Sequence, residues 1–235
     1  MGQQSQKLKI ALCLSGQARS WKKGYEYYKR NLLYSYDVDV YIHTWKFPDE
    51  DKFRELYKPK AYESQVPPLG DFDNKYTNTP NRQKHPPRFT YRMIYSMYKC
   101  SQLIQGEYDW VIKARTDYAL NEFILFANLD NTKLYIPNCR MVPERDFGND
   151  QFAFGSQETM MKYMSTYVNI DKYYSFGYQF IGEEMMKANL HEHGLIGENL
   201  VYYDMNNPFP PGPHNGTWHS LIRSDYDRWT SDKTI

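Results

Sequence analysis

Apolar positions along the chain fall into short continuous runs separated by amphipathic stretches. Leu8-Lys9-Ile10-Ala11-Leu12-Cys13-Leu14 is apolar at nearly every position, as a strand covered on both faces requires. Further strands are expected at 38–44, 109–114, 133–137, 151–155 and 199–204. Helical spacing predicts helices at about 22–35, 49–57, 89–106, 156–168 and 181–193. The last opens with Glu183 and Glu184, acids suited to the positive end of a helix dipole, and stops before Gly194, a C′ glycine. Strands alternate with helices early on, which predicts an α/β fold with a mostly parallel central sheet flanked by helices. Shorter strands and loops richer in Gly, Pro and Asn after residue 133 point to a mixed sheet.

Two segments break this rhythm. Residues 66–88 carry Pro67-Pro68 at one end and Pro86-Pro87 at the other, with little apolar sequence between. No core element is expected there, and a loop of this length serves as a lid or as disordered filler. Residues 206–235 form a second loop-rich region that holds His214 and His219. Neither divides the chain into halves, so 1–235 reads as one domain.

The 235 residues are enough for one sizeable core, and the formal charge of +1 gives no pull toward nucleic acid or anionic lipid. No apolar run approaches a membrane span, and Met1–Gln6 is too polar for a secretory signal. The expected setting is the cytoplasm. Cys13, Cys100 and Cys139 are scattered and odd in number, which argues against a disulfide framework or a structural zinc site. Aromatic residues make up 17% of the chain, 23 of them tyrosine. Such a surplus fits either a cleft that packs on sugar rings or bases, or tyrosine standing in for other core residues.

The chemistry-bearing residues gather at strand ends. Ser15-Gly16-Gln17-Ala18-Arg19 follows the first strand; the glycine allows a close turn, and main-chain N–H groups with Arg19 suit a diphosphate. It is not the G-x-G-x-x-G fingerprint, and alone it reads as an ordinary βα turn. Arg115-Thr116-Asp117 follows the strand at 109–114, where open α/β sheets bind ligands. Asp117 is suited to a divalent cation bridging two phosphates, and Arg115 to the phosphates or sugar. The plainer alternative is a strand-end salt bridge between Arg115 and a neighbouring acid. His43 and Thr44 close the second strand, and a histidine there is more often a hydrogen-bonded core residue than a ligand. Asp150, Glu183 and Glu184 are candidates for a general base, in no fixed order. His214 and His219 are candidates to complete a metal site.

Four of these motifs in order, SGQ-x-R at 15–19, DVYIHTW at 39–45, RTD at 115–117 and DQFAFGS at 150–156, resemble GT-A type glycosyltransferases. The likeness is to the small single-domain enzymes of viruses and of bacterial surface-polysaccharide loci, and it covers roughly residues 8 to 200. It implies a GT-A (Rossmann-like) fold, a nucleotide-sugar donor (a UDP-sugar ahead of a GDP-sugar), and a glycan or glycoprotein acceptor. For a viral enzyme the setting would be the host cytoplasm. The resemblance also implies Mn²⁺ or Mg²⁺ on the diphosphate. Ser15, Gly16, Gln17, Arg19, His43, Thr44 and Arg115 would hold the donor, with Asp117 on the metal. This chain departs from the family's DxD pattern, because Arg115 replaces the first acid. The cation is then bound weakly, through water, or not required. Two other functions fit the residues less closely: a sugar-phosphate nucleotidyltransferase, which calls for a glycine-rich loop with a lysine, and a carbohydrate-binding protein without catalysis.

Overall fold

The computed structural model describes residues 8–80, 86–137 and 150–203. Seven strands form one sheet: β1 (Lys9–Gly16), β2 (Asp37–Trp45), β3 (Ala61–Gln65), β4 (Trp110–Ala114), β5 (Leu134–Pro137), β6 (Phe152–Gly155) and β7 (Leu200–Tyr203). Their order across the sheet is β3-β2-β1-β4-β6-β5-β7. The pairs β2/β3, β1/β2, β1/β4 and β5/β7 are parallel, while β6 runs antiparallel to both β4 and β5. The architecture is therefore α/β with a mostly parallel mixed sheet, compatible with a Rossmann-like fold.

Alternation along β1 explains the two layers. Ile10, Leu12 and Leu14 face a cluster with Trp21, Tyr28, Leu32, Phe53 and Tyr57, from α1 (Trp21–Tyr28), its π-helical continuation Lys29–Leu33, and α2 (Glu50–Tyr57). Ala11 and Cys13 face Met97, Cys100, Met160, Tyr163 and Met186, from α4 (Pro87–Ser101), α5 (Gln157–Met164) and α7 (Gly182–Glu192). Both faces of the central strands are thus buried, as their nearly continuous apolar runs require. The chain builds β1, β2 and β3 outward in one direction, then returns through α4 to place β4 on the other side of β1. That reversal makes the carboxyl ends of β1 and β4 a topological switch point.

All six expected strands are present. The seventh, β3, was not expected: its sequence AYESQ has no apolar alternation, and every residue in it is only half-buried. It is an edge strand, and its two apolar residues divide between the faces, Tyr62 packing on the Ile10 side and Ala61 on the Ala11 side. The helix expected at 22–35 is α1 running into a π-helical turn that carries Asn31 and Leu32 inward. The helix expected at 156–168 ends at Met164 and passes through a short 3₁₀ turn into α6 (Ile170–Ser175). Gly194, at φ 65°, follows α7 as its sequence position predicts.

The 66–88 segment corrects one expectation. It contains a short helix, α3 (Phe72–Lys75), and Tyr76 is fully buried. The Tyr76 ring stacks on Phe180 at 3.6 Å with an interplanar angle of 6°, and its hydroxyl donates to Asp171 Oδ1 at 2.6 Å. The Thr79 hydroxyl donates to the Phe180 carbonyl at 3.3 Å. Two aromatic side chains were enough to give a proline-flanked, polar segment its own anchor against the chain leading into α7. Within the described residues, no helix is long and apolar enough to cross a membrane.

Candidate functional site

The ends of β1 and β4 meet at the switch point. Gly16 pairs with Thr44 across β1/β2, and Leu14 with Ala114 across β1/β4, so the two following turns emerge side by side. Gly16 has φ 98°, where a side chain would be strained, although a Cβ there would meet no atom within 4 Å. Ser20, at φ 43°, closes the same turn in a second left-handed conformation. Such paired departures from ordinary backbone concentrate at functional sites.

Thr116 joins the two turns. Its hydroxyl lies 3.2 Å from the Gln17 carbonyl and 3.1 Å from the Arg19 carbonyl. Helix α1 closes on the same place through Gly24: a Cβ on Gly24 would stand 1.9 Å from the Thr116 carbonyl oxygen. No side chain fits that gap. The Tyr28 hydroxyl donates to the Arg115 carbonyl at 2.6 Å, so the β4 turn is held from beneath as well.

Within that turn, Arg115 and Asp117 form a two-pronged pair. Arg115 Nε donates to Asp117 Oδ1, and Nη2 to Oδ2, each at 2.8 Å. The Asp117 side chain is 5% exposed and that of Arg115 25%. The strand-end salt bridge weighed from sequence is therefore present. Each Asp117 oxygen accepts one of these bonds and keeps a further lone pair, so the pair leaves Asp117 able to take a divalent ion on a phosphate. Arg19 is braced in a similar way, its Nε and Nη2 donating to its own neighbour Gln17 Oε1 at 3.0 and 2.8 Å.

His43 lies inside the molecule, fully buried, as does Thr44. His43 Nδ1 is 2.8 Å from Ser96 Oγ, and Ser96 Oγ also accepts from the Gly16 N–H at 2.7 Å and donates to the His43 carbonyl at 3.2 Å. One serine of α4 thus supports both the β1 turn and the end of β2. Burial pulls the His43 imidazole down to about 4, with the Glu63 carboxylate opposing and the Lys99 ammonium reinforcing the shift. It is neutral at physiological pH. The Thr44 hydroxyl donates to the Trp45 carbonyl at 3.4 Å, and Ser15 is nearly buried.

Beside this pair runs an aromatic column. Trp45 lies nearly parallel to Tyr95 (6.2 Å, 16°), Tyr95 to Tyr91 (6.4 Å, 10°), and Tyr91 to Phe72 (3.9 Å, 23°). These rings are half-buried, whereas Tyr28, Tyr41, Tyr118, Tyr163 and Tyr173 belong wholly to the core. The aromatic surplus therefore serves the interior first and lines the β2 end second.

The third part comes from β6 and α7. Because β6 is antiparallel, with Phe152 opposite Ala114, its start arrives at the rim where β4 ends. Asp150 sits there, its Oδ2 3.5 Å from the position of a Cβ on Gly182, the first residue of α7. Glu183 and Glu184 follow in the first turn of that helix. Burial, then the Asp150 charge and then that of Glu184, push the Glu183 carboxyl up to about 7, against its own backbone N–H. His214 and His219 lie outside the described residues. A surface cleft of about 440 Å³, lined by Asp51, Arg54, Lys58 and Tyr62 among others, opens at the amino-terminal end of β3, away from this rim.

Of the residues singled out in the sequence, the described structure therefore gathers Ser15–Arg19, Arg115 and Asp117 at one rim of the sheet and Asp150 with Glu183 at the adjoining strand. Ser96, Gly24 and Lys113 were missed. Gly24 had a readable signal, a glycine inside a helical pattern. So had Lys113, a lysine at a core position of a central strand. Ser96 had none. No protein-family model matches the chain, and neither does any curated protein sequence.

Proposed function

We propose that this protein is a GT-A type glycosyltransferase that moves a sugar from a nucleotide-sugar donor, a UDP-sugar ahead of a GDP-sugar, to a hydroxyl of a glycan or glycoprotein. One observation carries the reading: the SGQ-x-R turn and the RTD turn stand side by side at a topological switch point, joined through Thr116. Ligands of open α/β sheets bind in that crevice. The two arginines there are braced by local partners, Gln17 and Asp117, and so present their charge in a fixed place before any ligand arrives.

The chemistry follows from the rim. The donor's diphosphate lies against the Gly16–Arg19 turn, where cationic and N–H groups stabilise the charge that develops as the bond from the anomeric carbon to phosphate oxygen breaks. That electron pair leaves with the nucleoside diphosphate. An acceptor oxygen forms the new bond to the anomeric carbon through an oxocarbenium-like transition state. In an inverting transfer the acceptor proton passes to a carboxylate. Glu183 is the choice among the three acids, because a group that titrates near neutrality is both available and basic enough to take it. A retaining transfer needs no such base. No step is routed through a metal; Asp117 would hold a Mn²⁺ or Mg²⁺ ion on the diphosphate, which would help neutralise the leaving-group charge.

The pairing of Asp117 with Arg115 also supports a second reading, a protein that binds nucleotide sugars without turning them over. One experiment separates the two. Thermal shift and calorimetry against UDP, GDP and their sugars, with and without Mn²⁺, detect binding, and release of nucleoside diphosphate detects turnover. Turnover that collapses in Asp117→Asn while the fold survives supports the enzyme. Binding without turnover supports the second reading. Absence of binding to any nucleoside diphosphate at millimolar concentration sinks both.

A further inference from the structure

Helix α4 keeps step with the strands it covers. Cys100 Sγ lies 3.5 Å from the carbonyls of both Leu14 and Tyr41. One turn earlier, Ser96 Oγ meets the Gly16 N–H and the His43 carbonyl, each two residues further along its strand. Four helical residues rise about 6 Å and two strand residues span about 7 Å, so the match is maintained from turn to turn. The next turn back brings Arg92, which therefore stands about 6 Å past the level of Gly16, beyond the carboxyl ends of β1 and β2. On one side of it Tyr91 stacks on Phe72 in the aromatic column. On the other, Met93 Cε is 2.9 Å from the position of a Cβ on Gly182, beside Asp150. Arg92 thus overlooks the rim between the column and the Asp150 corner.

The other arginines at this end of the sheet have side-chain acceptors: Arg115 donates to Asp117, Arg88 to Asp73 and Arg19 to Gln17. Arg92 has none among the described residues. It is half-buried, and its one hydrogen bond runs from Nη2 to the Pro68 carbonyl at 3.4 Å, beyond the usual range for an N–H donor. Its Nε is closed off from solvent and meets no acceptor. Burial draws the guanidinium below the ordinary arginine value, with the Arg88 charge reinforcing and the Asp73 charge opposing. Asp73 is itself engaged by Arg88. A buried donor left unpaired costs its full desolvation, and a charged one costs more. Such a group in a native fold calls for a reason. A planar fork with idle N–H groups matches the oxygens of a phosphate or carboxylate.

We propose that Arg92 is an anion-binding residue: from α4 it presents its guanidinium to a phosphate of the ligand that lies across the ends of β1 and β2. The ligand supplies the acceptors that the fold itself withholds. That the phosphate belongs to the diphosphate of a nucleotide sugar rests on the reading above; that Arg92 receives an anion rests on its place on α4 and its idle donors. The diphosphate is then flanked by Arg19 from the β1 turn and by Arg92 from the helix, and both stabilise the charge of the departing group. An arginine held in this way weakens the ligand-free protein, a cost that binding sites retain for function.

The test titrates pyrophosphate and UDP into the full chain by calorimetry, in wild type, Arg92→Met and Arg92→Lys. Arg54→Met, which removes a cation away from the rim, is the control for net charge. Wild type binds both ligands, and Arg92→Met binds each about tenfold or more weakly, as loss of a charge-assisted contact requires. Arg92→Lys, which keeps the charge but not the fork, falls between, and Arg54→Met matches wild type. Urea denaturation without ligand supplies a second readout: Arg92→Met is at least as stable as wild type, whereas an arginine kept for structure gives a less stable variant. A destabilised Arg92→Met protein overturns the proposal, as does wild-type affinity in that variant. So does a wild-type protein that responds to neither ligand at millimolar concentration, a result that requires no variant to fold. Pyrophosphate binding that depends on Arg92, without binding of UDP or GDP, upholds the anion site and removes the nucleotide-sugar reading. UDP binding that ignores Arg92 does the reverse.

Discussion

The Thr116 hydroxyl lies 3.1 Å from the Arg19 carbonyl, and this contact fixes the end of β4 against the turn that follows β1. Residues 97 positions apart are thereby held at one crevice, and the candidate site is as rigid as the two strands that deliver it.

Replacing Gly24 with alanine tests how closely that crevice is built. The new Cβ would meet the Thr116 carbonyl oxygen at 1.9 Å, so either α1 or the β4 turn must move. Overpacking of this kind costs about 1–3 kcal/mol, more where backbone must shift. Urea denaturation of Gly24→Ala should show a loss of at least that order, together with weaker nucleoside diphosphate binding by calorimetry. Unchanged stability and affinity would mean that α1 does not shape the turn.

Ser96→Ala removes one oxygen that serves two elements. It leaves the part-buried Gly16 N–H and the buried His43 Nδ1 without their serine partner. Each orphaned buried group costs about 1–3 kcal/mol. The expected loss is therefore larger than for an ordinary buried serine, and Ser101→Ala in the same helix provides the comparison. A Ser96→Ala protein as stable as the Ser101→Ala control would contradict the dual role.

Arg115 and Asp117 should behave as one unit. Arg115→Met leaves a carboxylate with 5% exposure facing no guanidinium, and breaking one side of a buried pair costs about 3–5 kcal/mol. The partial exposure of Arg115 places this case at the lower end. Adding Asp117→Asn to Arg115→Met should recover much of the loss in a double-mutant cycle. The freed carboxylate in Arg115→Met is also expected to gain stabilisation from Mn²⁺ in thermal shift, beyond that of the wild-type protein. Additive losses in the cycle would show that the pair is not coupled.

Stability against pH carries two opposing contributions. His43 titrates lower in the folded chain, at about 4, than its ordinary value of 6.5. Its contribution is complete above 6.5 and is lost as pH falls toward 4. Glu183 titrates higher when folded, at about 7 against 4.5, so its contribution is complete below 4.5 and is lost as pH rises through 7. The two slopes offset one another across most of the same window. Glu183→Gln removes one of them, and the variant should lose more stability than wild type between pH 6.5 and 4.5. Parallel stability curves for the two proteins would show that Glu183 is not buried against Asp150.

Much of the frame was legible in the chain. Nearly continuous apolar runs located β1 and β4, and the turn signals after them named Gly16, Arg19 and Asp117. What stayed hidden depended on contacts between distant segments. β3 shows no apolar pattern because Ala61 and Tyr62 are its only apolar residues, one on each face. Tyr76 took a core position in a proline-flanked stretch because Phe180, far along the chain, offered a stacking partner. Ser96 looks like any helical serine until Gly16 and His43 are brought to it. His43 itself was assigned in sequence to two roles, and its full burial accords with the hydrogen-bonded interior one.

The reversed direction of β6 has a bearing on how such a scaffold diversifies. Every other strand among the described residues runs with its carboxyl end toward that rim. β6 reaches the rim with its head, and its pairing of Phe152 with Ala114 is indifferent to how many residues precede it. Changes in the length of chain before Asp150 would therefore leave the β1 and β4 turns at their spacing, letting one flank diversify with the opposite flank unchanged.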